Sequence, residues 1–295
     1  VIHPRHIAGY AFLAVAWGLS FLVLLKVVEA FGWVAAVSFR GFVAAFTLWL
    51  AMRLTGGAQA PPIPRRHAIV VGGTTVALQL LFLSFATPLI GTAMAAILVA
   101  TIPLFSLLIG YVWKLEKARF ASIAGLGCGF CGLVLLVGFP AVPLTPLFLI
   151  GVLASLISAF SAAFGSNYVS RNLPDADPRQ LTMAAFFWGG LLSLPLLPLV
   201  PVPGWPGPID WLYLVISASV MSALTYVIYF WLVREIGATR AISVEFAVTL
   251  VAASVGIVFL GEPVTWPQIL GGFGIIIGCA LVLGLFEGRN RPVAD

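Results

Sequence analysis

Charge is scarce in this sequence. Only 8% of the 295 residues are Asp, Glu, Lys or Arg, while 61% are hydrophobic, too little polarity to clothe a water-soluble globule of this size. Cysteine and histidine number three each. His3, His6 and His67 all fall at the edges of apolar runs, so no metal cluster and no nucleophile with a histidine partner can be assembled, and no enzyme, metal or cofactor is expected. No Gly-rich loop ends in Gly-Lys-Ser/Thr, which excludes primary ATP-driven pumping by this chain alone. CGFC at 128–131 has redox-like spacing, but it sits among Gly125, Gly127, Gly129 and Gly132, where small residues let membrane helices pack closely.

What is present is a series of apolar runs with a mean hydropathy of +1.12 over the chain. Each is about 20 residues long, the length an α-helix needs to cross roughly 30 Å of hydrocarbon. The fold class read from them is an all-α integral membrane protein with ten spans, at 7–28, 33–54, 67–87, 92–113, 120–138, 147–170, 180–200, 209–233, 240–260 and 266–286. GGAQAPPIPRR (56–66), FPAVPLTP (139–146) and PVPGWPGP (201–208) supply the proline and glycine that end helices. The first run is too long, and lacks a small-residue cleavage site after it, to read as a removed signal peptide.

Lys and Arg set the orientation, because cationic loops are retained on the cytoplasmic side. With the N-terminus inside, Arg5, Arg53, Arg65, Arg66, Lys114, Lys117, Arg119, Arg171, Arg179, Arg234, Arg240, Arg289 and Arg291 lie at cytoplasmic ends, Lys26 falls outside, and Arg40 lies within a span. The net charge of +5 is therefore a topology signal, and no nucleic-acid partner is expected. Both termini are expected in the cytoplasm.

The segments VWKLEKARF (112–120) and VFLGEPVTW (258–266) are 146 positions apart, and sliding one onto the other aligns Val112 with Val258, Glu116 with Glu262 and Phe120 with Trp266. The same register over 90–138 and 236–284 gives about a dozen identities, including Gly91/Gly237, Gly110/Gly256, Gly125/Gly271, Gly132/Gly278 and Gly138/Gly284. An odd number of spans separates the copies, so Glu116 lands inside and Glu262 outside. The expectation is two inverted five-helix repeats, 1–138 and 147–295, joined by a periplasmic linker at 139–146; such repeats are typical of alternating-access transporters with a site at the midplane.

The run from FLSFATPLIG through GFCGLVLL (82–136), repeated from YFWLVREIG through IIIGCALVL (229–283), resembles the repeat of EamA-type permeases in the drug/metabolite transporter superfamily. GEPVTWPQILGG (261–272), Trp17–Gly18 and the arginine of VSFRGF (37–42) are similar to that family too, and the overall look is nearest to the YddG-like amino-acid exporters. The resemblance implies ten helices, cytoplasmic termini, an inner-membrane location and export of metabolites.

Candidate substrate contacts are polar and aromatic residues at helical spacing inside spans. Span three offers Thr75, Gln79, Phe82 and Ala86, and the 146-residue offset sets Gln79 opposite Thr225 in a span whose Ser222, Thr225, Tyr226 and Tyr229 share one face. Span one gives Tyr10, Trp17 and Ser20, and span six gives Ser155, Ser158, Ala162, Ser166, Phe164 and Asn167. In span four, Pro103 withholds an N–H from the carbonyl of Val99, with Thr101 the nearest hydroxyl. Two ionisable residues, Arg40 and Glu245, lie inside spans, the latter one turn before Thr249 and near enough to Arg240 to pair with it. The substrate-cavity set is thus Trp17, Ser20, Gln79, Phe82, Thr101, Pro103, Ser158, Phe164, Thr225, Tyr226, Tyr229, Glu245 and Thr249. For the Ser and Thr members the competing role is hydrogen-bonded glue between helices.

The sequence reads as a monomeric secondary transporter that exports amino acids or similar small amphipathic metabolites through a cavity between the repeats. Residues 7–28 contain no acid, whereas small multidrug antiporters of the resembled superfamily use a first-helix glutamate, so facilitated export is expected over proton exchange. An anionic-metabolite or sugar-phosphate exchanger is the runner-up, for which only Arg40 and Lys26 offer cavity cations, and proton-coupled drug efflux is a further alternative. A structural or receptor protein would have no need of inverted repeats. Arg65→Cys and Pro292→Cys are predicted to be shielded from an impermeant thiol reagent applied outside, and Pro206→Cys to react; labelling of position 65 from outside would overturn the inversion.

Overall fold

The computed structural model describes residues 3–55, 61–90, 92–117, 119–137, 145–200, 202–251 and 266–284, and these contain helices and turns but no strand. In chain order the helices are α1 (Pro4–Leu54), α2 (Arg65–Ile90), α3 (Thr92–Val99), α4 (Ile102–Val112), α5 (Phe120–Val137), α6 (Pro146–Asn172), α7 (Pro178–Ser193), α8 (Pro208–Ile236), α9 (Ala238–Ile242), α10 (244–251) and α11 (Trp266–Leu283). Among the described residues, five helical segments are long and apolar enough to cross a membrane: Lys26–Leu54, Arg65–Ile90, Pro146–Asn172, Pro178–Leu199 and Pro208–Ile236. Shorter apolar helical stretches cover Ile97–Val112, which spans the turn between α3 and α4, Phe120–Leu136 and Ile269–Leu283. Glu262, Gly91, Gly138, Gly256, Arg289, Arg291, Pro292 and most of the expected linker lie outside the described residues.

Helix starts follow local chemistry. Proline occupies the first turn of α1, α6, α7 and α8, where its fixed φ suits the helix and its missing N–H wastes no bond. Thr145 caps α6 by accepting from the Phe148 N–H at 3.1 Å, and Asp177 caps α7 by accepting from the N–H groups of Arg179 and Gln180 at 2.8 and 3.2 Å. Partial burial alone would raise the Asp177 pKa, but hydrogen bonds from the Arg179 side chain and from the two backbone N–H groups outweigh it and hold the carboxyl below its ordinary value.

Breaks fall where glycine permits them. α1 is interrupted at Gly32, with φ 71° and ψ 162°, and Gly237, with φ 88°, separates α8 from α9; both are left-handed conformations that L side chains resist. The run expected as one span over 92–113 is instead two helices. The chain turns at Ala100–Thr101, so Pro103 sits in the first turn of α4 rather than in the middle of a helix. The Thr101 hydroxyl donates to the Leu98 carbonyl at 2.6 Å, covering an acceptor at the end of α3.

Among the described residues, α5 and α11 form the most extensive helix pair, and it is built on glycine. A Cβ at Gly125 would lie 2.9 Å from the Gly278 carbonyl oxygen, and one at Gly132 would lie 2.7 Å from that of Gly271. Adding 146 carries Gly125 onto Gly271 and Gly132 onto Gly278, so each contact becomes the other. At the centre of this exchange the Cys128 thiol donates to the Gly274 carbonyl at 3.4 Å, again across 146 residues. The π-helical stretches Gly73–Leu78 in α2 and Ser219–Leu224 in α8 are separated by the same offset. Gly125→Leu and Gly271→Leu are therefore expected to lower the amount of folded, membrane-inserted protein sharply, as read by fluorescence-detected size exclusion. Gly127→Leu, where an added Cβ meets nothing within 4 Å, should be tolerated; equal abundance of all three variants would contradict the packing described.

Candidate functional site

Two close glycine approaches bring the interior side chains together. A Cβ at Gly18 would lie 2.7 Å from Val251 Cγ1 and 3.2 Å from the Val248 carbonyl oxygen, which sets the first part of α1 against α10. A Cβ at Gly41 would lie 2.7 Å from the Phe186 carbonyl oxygen and 2.8 Å from Gly190 Cα, which sets the second part of α1 against α7. Trp17 and Arg40 each precede one of these glycines and so point from crossings that are fixed at backbone distance. In α8, the π-helical stretch re-phases the helix just before Tyr226 and Tyr229, a device common at functional positions.

The result is an aromatic triangle. Trp17 lies 5.6 Å, centroid to centroid, from both Tyr226 and Tyr229, which are 5.9 Å apart. Phe186 packs edge-on against Tyr226 at 4.9 Å, and Phe230 backs Tyr229 at 5.4 Å. Ser166 already donates to the Ala162 carbonyl, so the Tyr229 hydroxyl is the donor in their 2.5 Å contact. Tyr229 is buried, whereas Trp17 and Tyr226 are only partly so.

A polar cluster adjoins the triangle toward Glu116. Tyr10 donates to Ser243 at 3.1 Å, because the Ser243 hydroxyl is committed to the Arg240 carbonyl. Ser106 and Thr239 hydroxyls lie 3.1 Å apart, and the Asn167 amide donates to the Ser106 hydroxyl at 2.9 Å and to the Ala163 carbonyl at 2.9 Å. Glu116 accepts the Thr239 N–H at 3.3 Å, beside Gly237. These contacts tie α4 and α6 to α9, with Tyr10 tying α1 to the turn that follows it.

The other expected site residues divide by how their polar groups are used. Ser158 is buried and gives its hydroxyl to the Gln79 carbonyl at 2.6 Å, while Thr225 is buried and bonds back to Met221 and Ser222. Ser20 donates to the Trp17 carbonyl and Thr249 to that of Glu245, both partly exposed. Pro103 is buried in the first turn of α4. Phe82 packs with Ala86, Ile90 and Phe148. Phe164 joins Trp113 at 5.3 Å, Tyr168 and Phe160, not the triangle. Gln79 keeps its side-chain amide without a hydrogen bond to any described residue, and Glu245 makes no ion pair with Arg240 or another described cation.

Phe186, Phe230 and Ser166 complete the cluster. The first was legible in principle, since the 146-residue offset that pairs Gln79 with Thr225 also pairs Arg40 with Phe186. A surface cavity of about 340 Å³ lined by Trp49, Met52, Arg53, Gln180 and Met183 shares no residue with the triangle. The candidate site therefore stands on its side-chain chemistry.

The model of the EamA-like transporter family matches twice, over residues 7–138 and 149–284. The chain belongs to the EamA-like transporter family. This EamA-like chain is 22% identical over 271 residues to an uncharacterized transporter of Archaeoglobus fulgidus, covering 90% of this chain and 94% of that one. It is 24% identical over 214 residues to the uncharacterized transporter YoaV of Bacillus subtilis, with 72% of each covered. With the uncharacterized inner membrane transporter YedA of Escherichia coli K12 it shares 26% identity over 295 residues, covering 95% and 92%. A solved crystal structure superposes with a TM-score of 0.80 over 94% of this chain and 96% of that chain at 18% identity, a likeness of fold alone. The EamA-like chain is a multi-pass membrane transporter and not an enzyme.

Within it, Asn167→Leu removes the donor that joins α6 to the Ser106–Thr239 pair. The expected cost is about 1–3 kcal/mol, measured as a lower melting temperature in detergent. An unchanged melting temperature would show that the polar cluster contributes nothing to holding α4, α6 and α9 together.

Proposed function

We propose that the chain is a facilitative secondary transporter that exports amino acids or similar small amphipathic metabolites across the inner membrane by alternating access. Ten spans form two inverted repeats, 1–138 and 147–295, joined by a periplasmic linker at 139–146; both termini are cytoplasmic, and the working unit is the monomer. The exchange of the Gly125–Gly278 and Gly132–Gly271 contacts under a 146-residue shift supports the repeat. Three of the cations assigned to cytoplasmic ends, Arg53, Arg65 and Arg171, lie 4.9–5.6 Å from the ring centroids of Trp49, Trp188 and Trp113. Such cation–π pairs anchor helix ends.

The observation that carries the substrate reading is the triangle of Trp17, Tyr226 and Tyr229, partly accessible, contributed by the first repeat and the second. Aromatic faces with polar edges give an amphipathic solute an apolar wall and a place for its polar end. The unbonded Gln79 amide adds a neutral donor and acceptor. One half rocks against the other, and the contact between Glu116 and Thr239 is of the kind that must part when the site opens on that side.

The test is flux in proteoliposomes against a panel of amino acids, with and without an imposed pH gradient. Flux of a neutral amino acid should not depend on the gradient. Trp17→Ala should reduce flux most for bulky substrates, and Gln79→Ala should weaken all of them by the ~0.5–1.5 kcal/mol of one neutral hydrogen bond, both at near-normal abundance. Uphill accumulation driven by a proton gradient alone, or loss of both variants from the membrane, would contradict the reading.

A further inference from the structure

Two charges lie beside the aromatic triangle without being answered by the protein. Arg40 is 9% exposed, its Nε is buried with no hydrogen-bond partner, and no carboxylate among the described residues forms an ion pair with it. Glu245, partly exposed, has its backbone carbonyl bonded by Thr249, but its carboxylate has neither a cation nor a donor among the described residues. Tyr226 is their common neighbour: both Arg40 and Glu245 act electrostatically on its hydroxyl, and Glu245 acts on Tyr229 and Tyr10 as well. Arg40 and Glu245 do not pair with one another, although each would relieve the other.

An unpaired ion in the membrane interior costs several kcal/mol, and such residues persist where function requires them. The chain bears two of opposite sign. Arg40 precedes Gly41, which crosses α7 at Phe186, whose ring is 4.9 Å from that of Tyr226. Glu245 lies one turn before Val248, where α10 crosses Gly18 beside Trp17, and Trp17 is 5.6 Å from the Tyr226 ring. A solute with a single charge would answer one and leave the other exposed. A solute with one positive and one negative end answers both and enters with no net charge.

We propose that Arg40 and Glu245 are the two charged poles of one zwitterion site, with Arg40 holding the carboxylate and Glu245 the ammonium group of an α-amino acid. The apolar side chain of that amino acid lies against Trp17, Tyr226 and Tyr229. This rests on the amino-acid reading above and sharpens it: selectivity comes from the α-amino acid moiety, which every substrate shares, while the aromatic wall accepts side chains of varied size. Arg40 suits its role because a guanidinium presents a fixed fork of donors to the two carboxylate oxygens. No covalent step is involved.

The test compares three probes in proteoliposomes, with uptake by protein-free liposomes subtracted: L-phenylalanine, phenethylamine, which lacks the carboxylate, and N-acetyl-L-phenylalanine, which lacks the ammonium. The unaltered protein should carry L-phenylalanine faster than either analogue by about tenfold or more, the factor expected for a charge-assisted hydrogen bond. Arg40→Gln should lose L-phenylalanine flux by a similar factor yet keep its phenethylamine flux, and Glu245→Gln should lose L-phenylalanine flux yet keep that of the N-acetyl compound. Arg40→Lys, which preserves the charge and guards against misfolding of the neutral variant, should still reject phenethylamine. A protein that carries L-phenylalanine and both analogues equally, or variants that depress all three probes in proportion, would overturn the zwitterion site and leave the amino-acid reading standing. A protein that carries no amino acid of the wider panel would overturn both.

Discussion

The backbone-distance crossing of α5 and α11 is the contact around which the rest of the molecule is arranged. Between helices in lipid there is no hydrophobic driving force, because acyl chains are as apolar as leucine, and association relies on close van der Waals contact. Glycine supplies it here. Carbonyl oxygens of Gly271 and Gly278 stand 2.7 and 2.9 Å from where Cβ atoms of Gly132 and Gly125 would be. Because those two contacts exchange under the same 146-residue shift that relates the π-helical stretches of α2 and α8, one register governs packing and local helix geometry alike. In the proposed mechanism this crossing is the fixed part, and the polar contacts around α9 are the ones that change.

Hydrocarbon also sorts the polar residues. Most spend their groups within the chain: Ser158 on the Gln79 carbonyl, Thr225 on Met221, Ser166 on Ala162, Asn167 on Ser106 and Ala163. Against that background the unanswered charges inside the spans, among the described residues, are two. Arg40 and Glu245 both act electrostatically on Tyr226, and Gln79 offers a free amide. The buried hydroxyls of Ser38, Ser155 and Ser170 and the side-chain carbonyl of Asn167 also lack partners, but they are neutral; an unmatched pair of opposite charges is the chemical signature of something that binds and leaves.

Helix ends were legible in the sequence because proline and glycine act locally: Pro146, Pro178 and Pro208 begin helices, and Gly32 and Gly237 break them. The register was legible because glycine spacing at a packed crossing is constrained by sterics. The site was read less completely. Helical spacing gives a face but not the neighbour it meets, so Phe82 turns out to pack against the cluster that holds Phe148, and Phe164 beside Trp113, while Trp17, Tyr226 and Tyr229 converge. Nor could spacing announce the π-helical stretches or the break at Ala100–Thr101, which depend on which carbonyl each N–H finds once neighbouring helices are in place.

The central claim is that the site between the halves opens alternately, with the contact of Glu116 on Thr239 closing one side. Spin labels at Lys117→Cys and Arg234→Cys, in a chain whose native cysteines are replaced, report the separation across that contact by double electron–electron resonance in liposomes. Both positions are exposed. Two distance populations whose ratio shifts when L-phenylalanine is added are predicted. A single distance, unchanged at saturating L-phenylalanine, would contradict alternating access at this end of the molecule.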